Sequence, residues 1–154
     1  MRLFILRHGR AEAYAADDAS RQLVAAGRAE VSAVVQQCRV ELAAVEQLWV
    51  SPLVRAQQTA QLVLEVTGPR PLPTSHLLIP EADPRSLFEA LQAQETKNLL
   101  LVSHLPLVGR LLDIALGTAP GFNVMGTGEL ACIDFSFPAA GLGELVWRRR
   151  ASSV

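Results

Sequence analysis

Residues 3–9 read Leu3-Phe4-Ile5-Leu6-Arg7-His8-Gly9, and the rest of the chain is interpreted outward from them. The four apolar residues predict a short strand that is buried on both faces. A cation and an imidazole follow at once, so Arg7 and His8 are expected at the carboxyl end of this strand. Ligands bind at that edge in open α/β sheets. Gly9 permits a sharp turn there and lets a ligand approach the backbone closely.

Size and composition indicate an ordinary globular protein. The chain has 154 residues, of which 50% are hydrophobic and 19% are charged, and we expect a single domain over residues 1–154. The net charge of −1 gives no reason to expect a nucleic acid or a membrane surface as partner. No segment approaches the roughly 20 apolar residues of a membrane-spanning helix, and none resembles a signal peptide. We therefore expect a cytoplasmic location.

The cysteines and the one basic run are interpreted as structural. Cys38 falls in an amphipathic helix pattern and Cys132 in an apolar strand pattern, so both are expected to be buried free thiols, which suits a reducing compartment. Arg148-Arg149-Arg150 follows a strand pattern. We interpret this run mainly as a solvated strand end, with a docking surface as the alternative.

Strand patterns alternate with helix patterns along the chain. This alternation predicts βαβ units in a three-layer α/β/α domain, with a mainly parallel sheet and an antiparallel edge. Ser51 is expected to cap a helix whose first residue is Pro52, and Asp83-Pro84 is expected to begin another. Two further helices are predicted from Leu23 and from Pro106 to Leu116. The predicted strands after the first are Gln47–Val50, an irregular one near 75–78, Asn98–Ser103, Glu129–Phe137 and Glu144–Arg148.

Three of the strand patterns end in polar residues that suit an anion. Carboxyl ends of parallel strands meet at one edge of a sheet, so these residues are expected to converge although they are far apart in sequence. The segments are Leu6-Arg7-His8-Gly9, Val50-Ser51-Pro52-Leu53-Val54-Arg55 and Val102-Ser103-His104.

The residue types at these strand ends are those that phosphoryl transfer needs. Two guanidinium groups, from Arg7 and Arg55, could bind phosphate oxygens bidentately, with each charge-assisted hydrogen bond contributing roughly 1.5–3 kcal/mol. A helix amino terminus near Arg55 would add to the attraction for an anion. A neutral imidazole is a competent nucleophile, and neighbouring arginines disfavour its cationic form. We therefore predict His8 as the nucleophile and His104 as a hydrogen-bonding or cationic phosphate ligand.

These segments resemble the motifs of the SixA-type protein phosphohistidine phosphatases, which belong to the histidine phosphatase superfamily. The resemblance rests on Arg7-His8-Gly9, on Ser51-Pro52-Leu53-Val54-Arg55-Ala56-Gln57-Gln58-Thr59, and most specifically on Val102-Ser103-His104-Leu105-Pro106-Leu107-Val108-Gly109. It implies a phosphoglycerate mutase-like fold without a large cap. It also implies a hydrolase that needs no metal or cofactor and forms a phosphohistidine at His8. Gly9, Arg7, Arg55 and His104 would then bind phosphate, or sulfate in its place.

Other site residues follow from the same resemblance. Arg21 lies where this family often has an arginine before its first helix, and it is a candidate phosphate ligand. Two positions depart from the family pattern, because Arg10 replaces an acidic residue and Val24 replaces a threonine. Glu81 is the first candidate for the general acid and Glu12 the second. A third alternative is that neither acts, because a phosphoramidate can leave as neutral imidazole.

The resemblance implies a phosphorylated histidine phosphotransfer protein as substrate. A short chain suits such a substrate, because it leaves the pocket open to another protein's side chain. One alternative is a small-molecule phosphomonoesterase with the same nucleophile. The other is a non-catalytic phosphoprotein-binding module, which would need the arginines but not His8. A metal site is not expected, since His8, His76 and His104 lack ligand spacing, and His76 is interpreted as a loop residue.

Overall fold

The computed structural model describes residues 1–151, and five strands form its single sheet. The order of the strands across the sheet is β2-β3-β1-β4-β5, so the segment met first in the sequence lies at the centre. The strands are β1 (Arg2–Arg7), β2 (Gln47–Val50), β3 (Asn98–Ser103), β4 (Leu130–Phe135) and β5 (Gly143–Arg149).

Helices cover both faces of the sheet and make the fold a three-layer α/β/α domain, as predicted. One apolar core lies between the sheet and the first three helices, and the other lies between the sheet and the last two. The helices are α1 (Ala25–Gln37), α2 (Arg39–Leu42), α3 (Val54–Thr67), α4 (Pro84–Gln92) and α5 (Leu107–Leu116), with short 3-10 helices at Asp18–Ser20 and His76–Leu78.

The central strand β1 explains why its sequence is apolar without alternation. Phe4 and Leu6 pack in the core on the α1 and α3 side, whereas Leu3 and Ile5 pack in the core on the α4 and α5 side. All four side chains are fully buried. Burial of each side chain contributes roughly 1.5–3 kcal/mol, so the strand is fixed from both faces.

The strand register brings the polar strand ends together. β1 pairs in parallel with β3, and Arg7 lies opposite Ser103. β2 pairs in parallel with the other side of β3. β4 and β5 form the predicted antiparallel edge, since β4 runs antiparallel to both β1 and β5. His8 and His104 therefore leave neighbouring strands at the same edge.

Two local predictions were wrong. Ser51 does not cap a helix at Pro52, because its N–H continues the strand by donating to the Val102 carbonyl, and α3 begins only at Val54. The segment near 75–78 is a 3-10 helix capped by the Ser75 side chain, and not an irregular strand. Just before it, Thr74 forms an isolated parallel bridge with Val50 at the end of β2.

Several boundaries were predicted correctly. Asp83 caps α4 through its side chain, with Pro84 as the first helical residue. Val24 caps α1 without any side-chain hydrogen bond, in agreement with the missing threonine hydroxyl.

Cys38 and Cys132 are buried free thiols. Within residues 1–151, no helix combines the length and the apolarity that crossing a bilayer requires.

Candidate active site

The two histidines at the strand ends face each other. The ring centroids of His8 and His104 are 4.9 Å apart, and the ring planes are inclined by 53°. Only 6% of His8 and 1% of His104 is exposed. Two imidazoles that are this close and this buried share one electrostatic environment, so protonation of one disfavours protonation of the other.

The backbone carbonyl of Gly9 orients the ring of His8. His8 Nδ1 lies 2.7 Å from this oxygen, which can only accept a hydrogen bond, so Nδ1 carries the proton in the neutral ring. The lone pair is then on Nε2. Within residues 1–151, Nε2 has no hydrogen-bond partner, and it is not among the buried unpartnered atoms, so it is open to solvent. This is the arrangement that a nucleophilic imidazole needs.

His8 is held neutral mainly by its burial. The pKa of His8 is lowered from 6.5 to about 4, mainly by desolvation. The charges of Arg55, Arg7 and Arg21 contribute to this shift, whereas the hydrogen bond to the Gly9 carbonyl opposes it. The expectation that arginines disfavour the cationic ring therefore holds. Burial is nevertheless the larger cause, and it was not anticipated from the sequence.

Ser51 orients the ring of His104. Ser51 Oγ lies 2.7 Å from His104 Nε2 and accepts a 3.3 Å hydrogen bond from the Leu53 N–H. The hydroxyl hydrogen is therefore free to be donated to Nε2, and in that arrangement the ring proton of a neutral His104 is on Nδ1. That Nδ1 is buried and has no partner. Burial and the neighbouring His8 and Arg55 lower the pKa of His104 to about 3.

Each of the two arginines uses terminal nitrogens of its guanidinium group to bind a neighbouring residue. Arg7 donates from Nη1 to the Met125 carbonyl at 2.8 Å. Arg55 donates from Nη1 to the Asp18 carbonyl at 2.7 Å and from Nη2 to the Asp18 carboxylate at 3.2 Å. Burial lowers the pKa of Arg7, and the neighbouring Arg150 and Arg55 lower it further. The Nε atom of each arginine is buried and has no partner.

All buried side-chain nitrogen and oxygen atoms without a partner in residues 1–151 belong to this cluster. They are Arg7 Nε, Arg55 Nε and His104 Nδ1. A buried donor that lacks an acceptor costs about 1–3 kcal/mol, and native proteins contain few of them. Three donors of this kind beside one open ring nitrogen form a site that an oxyanion would complete.

Thr59 connects this cluster to α3. Its hydroxyl accepts a 3.1 Å hydrogen bond from the Gly9 N–H and donates a 2.8 Å hydrogen bond to the Arg55 carbonyl. Gly9 itself has no room for a side chain, because a Cβ would lie 2.8 Å from Val31 and 2.9 Å from the Gly27 carbonyl oxygen. The turn after β1 is thus fixed against α1 and α3 together.

Comparisons with known proteins agree with this geometry. A family model described as histidine phosphatase superfamily (branch 1) matches residues 3–78. The phosphohistidine phosphatase SixA of Escherichia coli strain K12 is 34% identical over 128 aligned residues, covering 78% of this chain and 78% of its own. The chain belongs to the histidine phosphatase superfamily. Within it the chain is of the SixA type, which confirms the resemblance inferred from the three motifs.

Two further similarities extend over nearly the whole of this histidine phosphatase. The SixA homolog of Haemophilus influenzae is 33% identical over 171 aligned positions, covering 100% of this chain and 93% of its own. A solved structure of the protein histidine phosphatase SixA complexed with tungstate has a TM-score of 0.89 at 29% identity, covering 98% of this chain and 97% of its own. The phosphoglycerate mutase-like fold and the phosphatase class are therefore those expected from the sequence.

Asp18 is a site residue of this histidine phosphatase that the sequence did not reveal. Its carboxylate accepts hydrogen bonds from Arg21 Nη1 at 3.0 Å and from Arg55 Nη2 at 3.2 Å. The bond from Arg21 is the main cause that lowers the pKa of Asp18. Arg21 also donates to the Glu12 carbonyl at 2.6 Å, and Asp18 connects it to Arg55. The polar, alanine-rich loop gave no periodic signal that would have singled out Asp18.

The general-acid candidates lie outside the hydrogen-bonded cluster. Glu81 is exposed in the turn before α4, and within residues 1–151 it makes no hydrogen bond to the cluster. It follows a segment that contacts the end of β3, because Ser103 Oγ donates to the Leu78 carbonyl at 2.6 Å. The exposed Glu12 accepts from the Gln22 N–H at 2.8 Å, which fixes the loop.

The remaining polar candidates take structural positions. His76 is exposed in the second 3-10 helix. Arg10 is exposed and forms an ion pair with Glu30 on α1. Among residues 1–151 there is no group of three or more histidine, cysteine, aspartate or glutamate side chains placed to hold a metal ion.

Residues 117–129 form a loop, here called the Met125 loop. It carries the Met125 carbonyl, which accepts a hydrogen bond from Arg7. The buried Asp113 on α5 organises the loop by accepting hydrogen bonds from the Thr118 hydroxyl, the Gly121 N–H, and the backbone and side chain of Asn123, at 2.7–3.0 Å. The side chains of Glu129 and Arg148 hold the other end of the loop. Asp113 is thus a supporting residue that its helical sequence context did not reveal.

Proposed function

We propose that this chain is a protein phosphohistidine phosphatase that removes the phosphoryl group from a histidine phosphotransfer partner through a covalent phosphohistidine at His8. The observation that carries the proposal is the set of three unpartnered buried donors on Arg7, Arg55 and His104 beside the open Nε2 of His8. A tetrahedral oxyanion supplies the acceptors that these donors lack.

In the first step, the lone pair of His8 Nε2 forms a bond to phosphorus, and the bond between phosphorus and the substrate imidazole breaks with its electron pair staying on that nitrogen. Arg7, Arg55 and His104 Nδ1–H donate to the equatorial phosphoryl oxygens. The phosphorylated ring of His8 is cationic while Nδ1 keeps its proton, and the Gly9 carbonyl accepts that hydrogen bond.

In the second step, water attacks phosphorus, the bond from His8 Nε2 to phosphorus breaks, and the electron pair returns to the ring. Inorganic phosphate leaves after the water has lost its proton to solvent.

In the first step, a substrate imidazole protonated on its second nitrogen departs as a neutral base, which lessens the need for a general acid. Glu81 remains the first candidate for that role, ahead of Glu12, and we propose Arg21 as an additional phosphate ligand.

The names of the relatives favour a protein substrate over a small molecule. Two relatives are a phosphohistidine phosphatase SixA and its homolog, and the solved SixA structure holds tungstate, which is a tetrahedral oxyanion like phosphate. We propose that residues 1–154 act as one catalytic domain, without metal or cofactor. The two free buried thiols suit the reducing cytoplasm.

The test is a substrate comparison with the whole protein. A histidine phosphotransfer domain phosphorylated on its histidine should be turned over at a kcat/KM at least roughly 100-fold above those for sugar phosphates and p-nitrophenyl phosphate. A chelator should leave the rate unchanged. A preference for a phosphate ester over the phosphorylated domain would instead show a small-molecule phosphomonoesterase. Phosphate binding without turnover of any of these substrates would show a non-catalytic binding module.

A further inference from the structure

The Met125 loop presents two large apolar side chains to solvent beside the phosphate site. Phe122 is 74% exposed and Val124 is 62% exposed, whereas the alternating Asn123 and Met125 are buried. Exposure therefore alternates from residue to residue along this segment. The Met125 carbonyl binds Arg7, so the exposed pair lies within three residues of a group that touches the phosphate site.

This segment is held in place before any partner arrives. The Asp113 carboxylate accepts hydrogen bonds from the backbone N–H groups of Gly121 and Asn123. The guanidinium of Arg148 donates to the Val124 carbonyl. Exposed phenylalanine and valine side chains on an ordered backbone need little further ordering on binding, which lowers the entropic cost of association. Adjacent exposed apolar side chains at a functional site are typical of protein contact surfaces.

A cation lies beside the apolar pair. The guanidinium of Arg150 packs on Gly126, where any Cβ would collide with it. Gly126 directly follows Met125, whose carbonyl binds Arg7, so Arg150 lies near the phosphate site. The positive charge of Arg150 accordingly contributes to the lowered pKa of Arg7. The minor interpretation of the basic run, a docking surface, is therefore favoured for Arg150, whereas Arg148 and Arg149 are paired with Glu129 and Glu41.

We propose that Phe122, Val124 and Arg150 form a docking surface for the protein that carries the phosphohistidine. The complementary partner surface is an apolar surface flanked by carboxylates. The cations around the pocket, Arg7, Arg21, Arg55 and Arg150, outnumber the two carboxylates, Asp18 and Glu129, and Glu129 is already paired with Arg148. This proposal rests on the proposed function. A small phosphoramidate would fill the pocket without needing the docking surface, so the two kinds of substrate separate docking from catalysis.

The experiment compares two double variants on two substrates. The first is Phe122→Ala with Val124→Ala. The matched control is Phe137→Ala with Val40→Ala, which removes exposed side chains of the same types elsewhere on the molecule. The substrates are a phosphorylated histidine phosphotransfer domain and phosphoimidazole. The first variant should lower kcat/KM for the domain at least roughly tenfold, because KM for the domain rises. It should change kcat/KM for phosphoimidazole less than twofold. The control should change neither rate by more than twofold.

Arg150→Ala tests the electrostatic part of the proposal. It should lower kcat/KM for the phosphorylated domain more than kcat/KM for phosphoimidazole, and it should weaken the dependence of the domain's rate on salt. Equal losses on both substrates in the first variant would overturn the docking surface in favour of a structural role, and so would unchanged turnover of the domain. Dissociation of a wild-type dimer by the first variant, measured by sedimentation, would assign the surface to a second copy instead. Failure of the wild type to act on the phosphorylated domain would overturn the proposed function itself.

Discussion

At the scale of single residues, the site depends on two histidines that are kept neutral and given defined tautomers. The Gly9 carbonyl places the proton of His8 on Nδ1, and Ser51 leaves the proton of His104 on Nδ1. One ring therefore presents a lone pair to the pocket while the other presents a donor. In the proposed mechanism, the same residue type serves as nucleophile and as phosphate ligand because its second nitrogen is bound differently in each case.

The protonation of these rings gives the first prediction. Burial lowers the pKa of His8 to about 4 and that of His104 to about 3, so both should stay neutral as the pH falls from 7 to 5. Nuclear magnetic resonance of ¹⁵N-labelled histidine should show no titration of either ring near pH 6.5. Titration of His8 near 6.5 would mean that its lone pair is lost under mildly acidic conditions and would contradict this account.

Replacing Ser51 by alanine tests the orientation of His104. Loss of the hydroxyl frees Nε2, so we expect a mixture of tautomers and a fall in kcat of roughly tenfold, which corresponds to about 1.4 kcal/mol. The ¹⁵N shifts of His104 report the tautomer directly. Ser103→Ala is the matched control, because that buried hydroxyl binds the Leu78 carbonyl and not a ring. Equal losses in the two variants, with the tautomer unchanged in both, would refute the positioning role of Ser51.

The sequence identified the site residues that follow strands better than those that support them. Arg7, His8 and His104 could be located because an apolar strand ends abruptly in a polar residue. Arg55 was grouped with them because its segment follows a strand pattern, although the helix that carries it begins at Val54 and not at Pro52. Asp18 lies in a loop without a periodic pattern, so only the folded structure shows its contacts with Arg21 and Arg55.

At the scale of structural elements, the Met125 loop and α5 act as one unit. Asp113 uses its carboxylate to accept four hydrogen bonds, and these hold the loop that carries the Met125 carbonyl against Arg7. The Gly109 position of α5 lies against this loop, because a Cβ there would come within 2.7 Å of the Asn123 carbonyl oxygen. The position of Arg7 is thus set by residues far from it in sequence.

Asp113→Asn should loosen this unit. An amide nitrogen cannot accept a hydrogen bond, so at least one of the loop donors loses its partner, at a cost of about 1–3 kcal/mol in the free energy of unfolding. We also expect the Kd for inorganic phosphate, measured by calorimetry, to rise several-fold as Arg7 loses its fixed partner. Asp134→Asn is the control, because Asp134 pairs with Arg2 in a half-exposed ion pair away from the pocket. Phosphate affinity that is equal to wild type in a destabilised Asp113→Asn would separate this loop from the site.

At the scale of the whole molecule, the topology could be predicted because hydrophobic burial determines it. The non-alternating apolar strands at 3–6 and 99–102 can be satisfied only by a sheet that is covered on both faces, as the two cores show. Local features were harder to predict. The Ser51 hydroxyl can serve as a helix cap or as a partner of His104, and only the tertiary structure decides between the two.

The depressed histidine pKa values also make stability depend on pH. Both rings have a lower pKa in the folded state than the 6.5 of an unfolded chain, so between pH 6.5 and about 4 the unfolded state binds more protons. The free energy of unfolding should therefore be greatest above pH 6.5 and fall as the pH falls through this window. Urea denaturation at pH 7.0, 5.5 and 4.5 should show that the free energy of unfolding falls less with pH in a His8→Asn, His104→Asn double variant than in the wild type. An identical fall in both proteins would assign it to other groups.

The central claim is that His8 attacks phosphorus and carries the phosphoryl group for part of each turnover. It is tested most directly by rapid quench of the wild type with a ³²P-labelled phosphohistidine protein. We predict a phosphoenzyme that is labile to acid and stable to base, that appears before free phosphate and is absent from His8→Asn. Full turnover by His8→Asn, or release of phosphate by the wild type without such an intermediate, would contradict the account.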